Sequence, residues 1–303
     1  MRIATLLLLA ALNLVAAVRP DGIFHAVYRG AAADFSTIAV SEHGSPDISL
    51  PVTDPAVRAQ IKDRFEPGDR LTVTFNGGVV QQVDPETVPI TITDRLLVLA
   101  GFAAVQLAFG LVVLRGSFKR LVIGEDNRYS NSKCQMGLWF SVLALTYLAA
   151  TFLRWSASGY SEMFAGGVNL PQNLLVLSGL SVFSFGAAKG ITSVKQSQAA
   201  AAAAGGAPPA PGAAPPPAVK TPAARPQLLR DLLCDDNGNP DLGDYQMLAV
   251  TVIAVSVYVV RIFGFLGSIH LLQHVTVPDV DTTILATFGL GQGAYLAKKQ
   301  LSN

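Results

Sequence analysis

The chain has 303 residues, 50% hydrophobic and 14% charged, with a formal net charge of +1. A soluble domain carries about 25% charged residues, so this composition argues for a membrane protein, and the near-neutral charge gives no nucleic-acid footprint. Two cysteines, Cys134 and Cys234, cannot build a disulfide framework.

Residues 1–17 read as a signal peptide, with Arg2 before an apolar core and the small Ala16 and Ala17 at its end. The run is short for a span, which needs about 20 residues. Residues 18–92 are predicted to form a small exported β-rich (α+β) domain. Strand-like runs occur at 35–40, 70–75 and 79–83, with Asn76-Gly77 as the hairpin turn. Between them a helix is predicted, with Asp54 as N-cap, Pro55 at its first position and a stripe of Val57, Ile61 and Phe65.

Five apolar segments follow, at 96–114, 136–155, 174–188, 245–266 and 283–297, so the expected fold is mainly α, a five-span helical membrane bundle. The later four fall into two related pairs. At a displacement of 111 residues Gln135 meets Gln246, Met136 meets Met247 and Tyr147 meets Tyr258. At 110, Gly179-Leu180 meets Gly289-Leu290 and Lys189 meets Lys299. The pattern predicts a tandem duplication of a two-helix unit, with the first span at 93–116 and repeats at 126–192 and 236–300. Between the repeats, 193–230 is rich in Ala and Pro and reads as an extended linker, ending in a short surface helix from Gln227 to Leu233. Loops 156–173 and 267–282 carry no Lys or Arg, whereas the other connections carry many. By the positive-inside rule the linker and C-terminus face the cytoplasm and residues 18–92 lie outside. The localisation expected is the cytoplasmic (inner) membrane of a bacterial-type envelope.

Few constellations suggest chemistry. His270 and His274, four apart, would share a helical face as metal-ligating pairs do, and are the candidate metal ligands. Asp235, Asn237, Asn239 and Asp241 alternate like an EF-hand loop, but Pro240 stands where glycine is required and Gln246 where the bidentate Glu should be. The plainer reading is a polar turn ending in Asp241 as N-cap of the next helix. Residues 287–291 superficially match a potassium-filter signature, yet GxxxG spacings at Gly289/Gly293 and Gly186/Gly190 favour close helix packing. Arg154 and Arg261 fall near helix ends, placed to snorkel to headgroups. No GxSxG, HExxH or P-loop pattern occurs. The function expected is non-enzymatic and without a cofactor: a scaffold or sensor-like module, with a small channel or transporter as the alternative. The bilayer is its first partner; self-association and a periplasmic partner met through residues 18–92 are the protein contacts this layout allows.

Overall fold

A computed structural model describes residues 21–42, 45–113, 119–124, 126–204, 223–234 and 238–301. The expected signal peptide and residues 205–222 of the expected linker lie outside these residues. The chain divides into two compact units, each taken by itself below.

The first unit comprises the described residues through Pro89 together with Thr151–Gly167 and Ser268–Val275. Its centre is an antiparallel sheet of β1 (Gly22–Ala31), β2 (Thr37–Ser41), β3 (Ile48–Pro51), β4 (Arg70–Asn76) and β5 (Val79–Pro85) in the order β3-β2-β1-β4-β5. Alternation decides the faces. In β4, Leu71, Val73 and Phe75 are buried and Arg70, Thr72 and Thr74 are not; in β1 the buried set is Phe24, Ala26 and Tyr28. Helix α1 (Pro55–Arg64) is capped as its sequence requires, the Asp54 carboxylate accepting from the Ala56 N–H at 2.8 Å, and it adds Val57, Ile61 and the following Phe65 to the same core. The β4–β5 turn falls one residue later than predicted. Asn76 still pairs with Val79, and Gly77 and Gly78 take φ of 61° and 79°, the two positive values that a tight hairpin of this twist demands.

Strands β1 and β3 were not predicted. Neither was the contribution of the distant segments. β6 (Thr87–Pro89) pairs antiparallel with β8 (Ser268–His270). Arg70 N–H donates to the Leu271 carbonyl, Leu271 N–H donates to the Glu86 carbonyl, and Leu272 packs on the sheet core.

The second unit holds α2 (Ile92–Val113), α3 (Lys119–Val122), most of α4 (Asn131–Ala157), β7 (Val168–Asn169), α5 (Gln172–Ala204), α6 (Leu228–Leu233), α7 (Leu242–Phe265) and α8 (Thr282–Leu301). Among the described residues three helices, where five spans were expected, are long and apolar enough to cross a membrane: α2, α4 and α7. In α5 the apolar part is shorter, Gln172–Phe183. α2 exposes Leu97, Phe109 and Val112, surface that hydrocarbon rather than water would cover. α8 packs on both α5 and α7. α5 runs on to Ala204, past the predicted end at 188, because the run of alanines read as linker has the highest helix propensity of any residue.

The entries to α4 and α7 share a geometry. Ile123 bridges Tyr129, and Ser130 N–H donates to the Val122 carbonyl at 2.8 Å, just before α4 begins at Asn131. Cys234 bridges Pro240, and Asp241 N–H donates to the Leu233 carbonyl at 2.9 Å, just before α7 begins at Leu242.

Candidate functional site

Within the helical unit, one stripe of α4 is buried: Gln135, Trp139, Leu143, Thr146 and Ala150. The matching stripe of α7 is Met247, Thr251, Ala254, Tyr258 and Ile262. Polar groups on these stripes bond one another. Gln135 Nε2 donates to the Met247 carbonyl at 3.1 Å and to Thr251 Oγ1 at 2.6 Å, while Gln292 Nε2 on α8 donates to Gln135 Oε1 at 2.5 Å. Thr251 Oγ1 in turn donates a hydrogen bond to the Met247 carbonyl at 2.8 Å. Next to the amides Trp139 packs against Tyr258 and Phe288, with ring centroids 6.3 and 6.2 Å away. One turn toward the helix starts, Asn131 Nδ2 donates to the Leu232 carbonyl and to Asp244 Oδ1. Burying an amide is costly unless it is bonded, so this chain of bonds fixes the register of α4, α7 and α8. Trp139 Nε1 and Gln292 Oε1 are buried without a hydrogen-bond partner.

Gln106 on α2 and Gln292 on α8 are polar residues within largely apolar helices. Gln106 Nε2 donates to the Ser141 carbonyl, and Ser178 and Ser181 donate to carbonyls of their own helix. In the sequence Gln135 stands out only by its alignment with Gln246. The signal that would have found it is its place one turn before Trp139 on an otherwise apolar stripe. The glycine face expected of α5 and α8 is different: Gly179, Gly186 and Gly293 are exposed, and the buried positions are Leu174, Leu177, Ser178 and Ser181 on α5 and Phe288 and Gln292 on α8.

In the first unit the polar centre is Arg154. Its predicted snorkelling is overturned: it is 1% exposed. Its guanidinium donates to the carbonyls of Gly166, Leu272 and Gln273, and its Cζ lies 5.9 Å from the Phe164 ring, which Arg70 also approaches at 5.5 Å. Asp69, also buried, accepts from the N–H groups of Gln273 at 2.6 Å and Glu66 at 2.8 Å. Burial pushes the Asp69 carboxyl above the usual range, against the pull of those two bonds. Gly167, with φ of 71°, lies so close that a Cβ there would run into the Gln273 carbonyl. Arg261 differs: it is exposed and donates to the backbone carbonyl of Asp279 at 2.8 Å, not to a carboxylate.

The predicted shared helical face for His270 and His274 is also corrected. His270 ends strand β8 and His274 lies beyond it, because the segment is held extended by pairing with β6. His270 Nδ1 meets Thr87 Oγ1 at 3.1 Å and His274 Nδ1 meets Glu66 Oε2 at 2.9 Å. Among the described residues, no three His, Cys, Asp or Glu side chains group as a metal site would. Asp235 and Asn237 of the EF-like run lie outside the described residues. Asp241 is the N-cap expected, accepting from the Gly243 and Asp244 N–H groups. Residues 287–291 lie inside helix α8. No family model, curated protein or solved structure matches this chain.

Proposed function

We propose that this protein is a non-enzymatic integral membrane scaffold or sensor-like module, built from a duplicated two-helix unit in a five-span bundle. Residues 18–92 lie outside the cytoplasmic membrane and the C-terminus inside. The observation that carries the scaffold reading is the Gln135–Gln292–Thr251 chain: the polar groups of the bundle are turned on one another and enclosed by Trp139, Tyr258 and Phe288. The duplication is supported by the paired entries to α4 and α7, where a β-bridge and a backbone hydrogen bond recur at the 111-residue displacement found in the sequence. A channel or transporter is the second reading. It is favoured by Trp139 Nε1 and Gln292 Oε1, a buried donor and acceptor that a polar solute could use.

The test is solute and ion flux from vesicles carrying the purified full chain. No flux above protein-free vesicles is expected, together with a single defined assembly on cross-linking. Flux that Gln292→Leu abolishes would overturn the scaffold in favour of the channel. Orientation is tested with single cysteines in a Cys134→Ser, Cys234→Ser background. Ser268→Cys should react with an impermeant thiol reagent on intact cells and Ser197→Cys should not; the opposite pattern reverses the topology.

A further inference from the structure

We propose that the aromatic pair Trp155–Tyr160, where α4 ends, anchors the chain at a lipid–water boundary, with phospholipid headgroups and the first acyl carbons as its partner. The pair is built by the way the helix stops. Gly159 N–H donates to the Ser156 carbonyl at 3.1 Å and Tyr160 N–H to the Trp155 carbonyl at 2.8 Å. With Gly159 at φ of 74°, this is the glycine-terminated helix end in which residues five apart touch across the stop. Here the touching residues are aromatic. The Trp155 and Tyr160 rings lie edge to face with centroids 4.9 Å apart, and the Phe152 ring meets Trp155 at 6.3 Å. Tyr160 itself takes φ of 64°, a conformation that bulky side chains avoid. The strained backbone holds its ring on the surface, 63% exposed.

The surroundings select lipid as the partner. Met136 and Trp155 stand 19 positions apart on α4, a rise of about 28 Å against a hydrocarbon thickness of about 30 Å. With the apolar part of the helix starting at one boundary, the pair therefore meets the other. Leu148 and Phe152, both exposed, share the face of α4 that carries Trp155, so exposed apolar surface runs up to the pair. Charge is kept away from it. Arg154 is turned inward, and residues 156–173 contain a single charged residue, Glu162. Trp and Tyr each join an apolar ring to one polar group, the combination that a boundary between hydrocarbon and water favours. The inference rests on the membrane reading proposed above, but not on which end of α4 faces out.

The full chain is reconstituted in phosphatidylcholine vesicles whose lipids are brominated either just below the headgroup or near the chain end, with Trp155→Phe run beside the parent. The chain has two tryptophans, and the other, Trp139, is fully buried, so the difference between the two proteins is the Trp155 fluorescence. The shallow bromines should quench it at least about twofold more than the deep ones. Tyr160→Gly, which takes the positive φ freely, should keep the parent's melting temperature and lose about half of that preference. The anchor is overturned if the deep lipid quenches as strongly as the shallow one, or if only aqueous iodide quenches. It is equally overturned if nothing quenches, as a second copy covering the pair would cause, or if Tyr160→Gly leaves the preference unchanged. Flotation of the vesicles after a carbonate wash keeps the two readings apart. A chain that floats and fails these tests loses the anchor alone, whereas a chain left behind loses the membrane reading with it.

Discussion

Residues 122–134 and 233–245 enter α4 and α7 through the same bridge and the same backbone hydrogen bond, whereas the far ends of those helices are held differently. At the end of α4, Arg154 is buried and holds three carbonyls; toward the end of α7, Arg261 is exposed and holds one. The entries are made by groups within a dozen residues of one another, so a similar local sequence restores them wherever it occurs. The carbonyls around Arg154 come from residues 12 to 119 positions away, and each must be delivered by another part of the fold. The two helices thus agree in what is local and differ in what is long-range.

The largest expected effect breaks that contrast directly. Arg154→Leu leaves three carbonyls and the neighbouring Asp69 without their cation, and should cost about 3 kcal/mol or more. Arg261→Leu should cost no more than about 0.5 kcal/mol. Thermal melts of both in one detergent decide it, and equal losses would remove the distinction.

Next come the buried amides. Gln135→Leu and Gln292→Leu should each cost about 1–2 kcal/mol, and the double variant should cost much less than their sum, since one bond joins them. Additive losses would mean the two amides act separately.

The caps sharpen the comparison of the entries. Asp241→Ala should cost about 1 kcal/mol, because its carboxylate holds two N–H groups. Ser130→Ala should cost less, since the Ser130 hydroxyl is placed against Ser132 Oγ at 3.2 Å. Equal losses on chemical denaturation would put Ser130 in the same capping role.

The smallest effect is a pH slope. Burial raises the Asp69 carboxyl in the folded chain. Its contribution is therefore full below the ordinary carboxylate range and is lost as pH rises through the raised value. From acid toward neutral pH, the melting temperature of the parent should fall relative to Asp69→Asn. A parallel pair of curves would show that Asp69 titrates as it does in the unfolded chain.

Much of the first unit was legible because its signals are local. Asp54-Pro55 announces a capped helix start, and the alternation through β4 announces one buried face. β1 carries a comparable alternation in Phe24, Ala26 and Tyr28, with the small Ala26 weakening the signal. The turn slipped by one residue since Asn76, Gly77 and Gly78 all tolerate positive φ, and strand pairing chose between them. In the helices the period was readable and the face was not. Aligning Gln135 with Gln246 implies equivalent surroundings, yet Gln246 is exposed and Met247 is the buried residue. One residue is about 100° of rotation on a helix, and neighbouring helices set that angle.

Composition and periodicity by themselves determined that apolar helices of membrane-crossing length follow a small α+β region, because hydrocarbon and a half-buried sheet each impose a short-range pattern on the chain. Tertiary structure alone decided that residues 268–275 join the sheet unit, that Arg154 is enclosed by carbonyls and that Gln135 meets Gln292. Each of these joins groups more than a hundred residues apart, the Gly166 carbonyl beside Arg154 excepted. A buried donor takes whatever acceptor the fold brings to it, and nothing in the local sequence records which one that is.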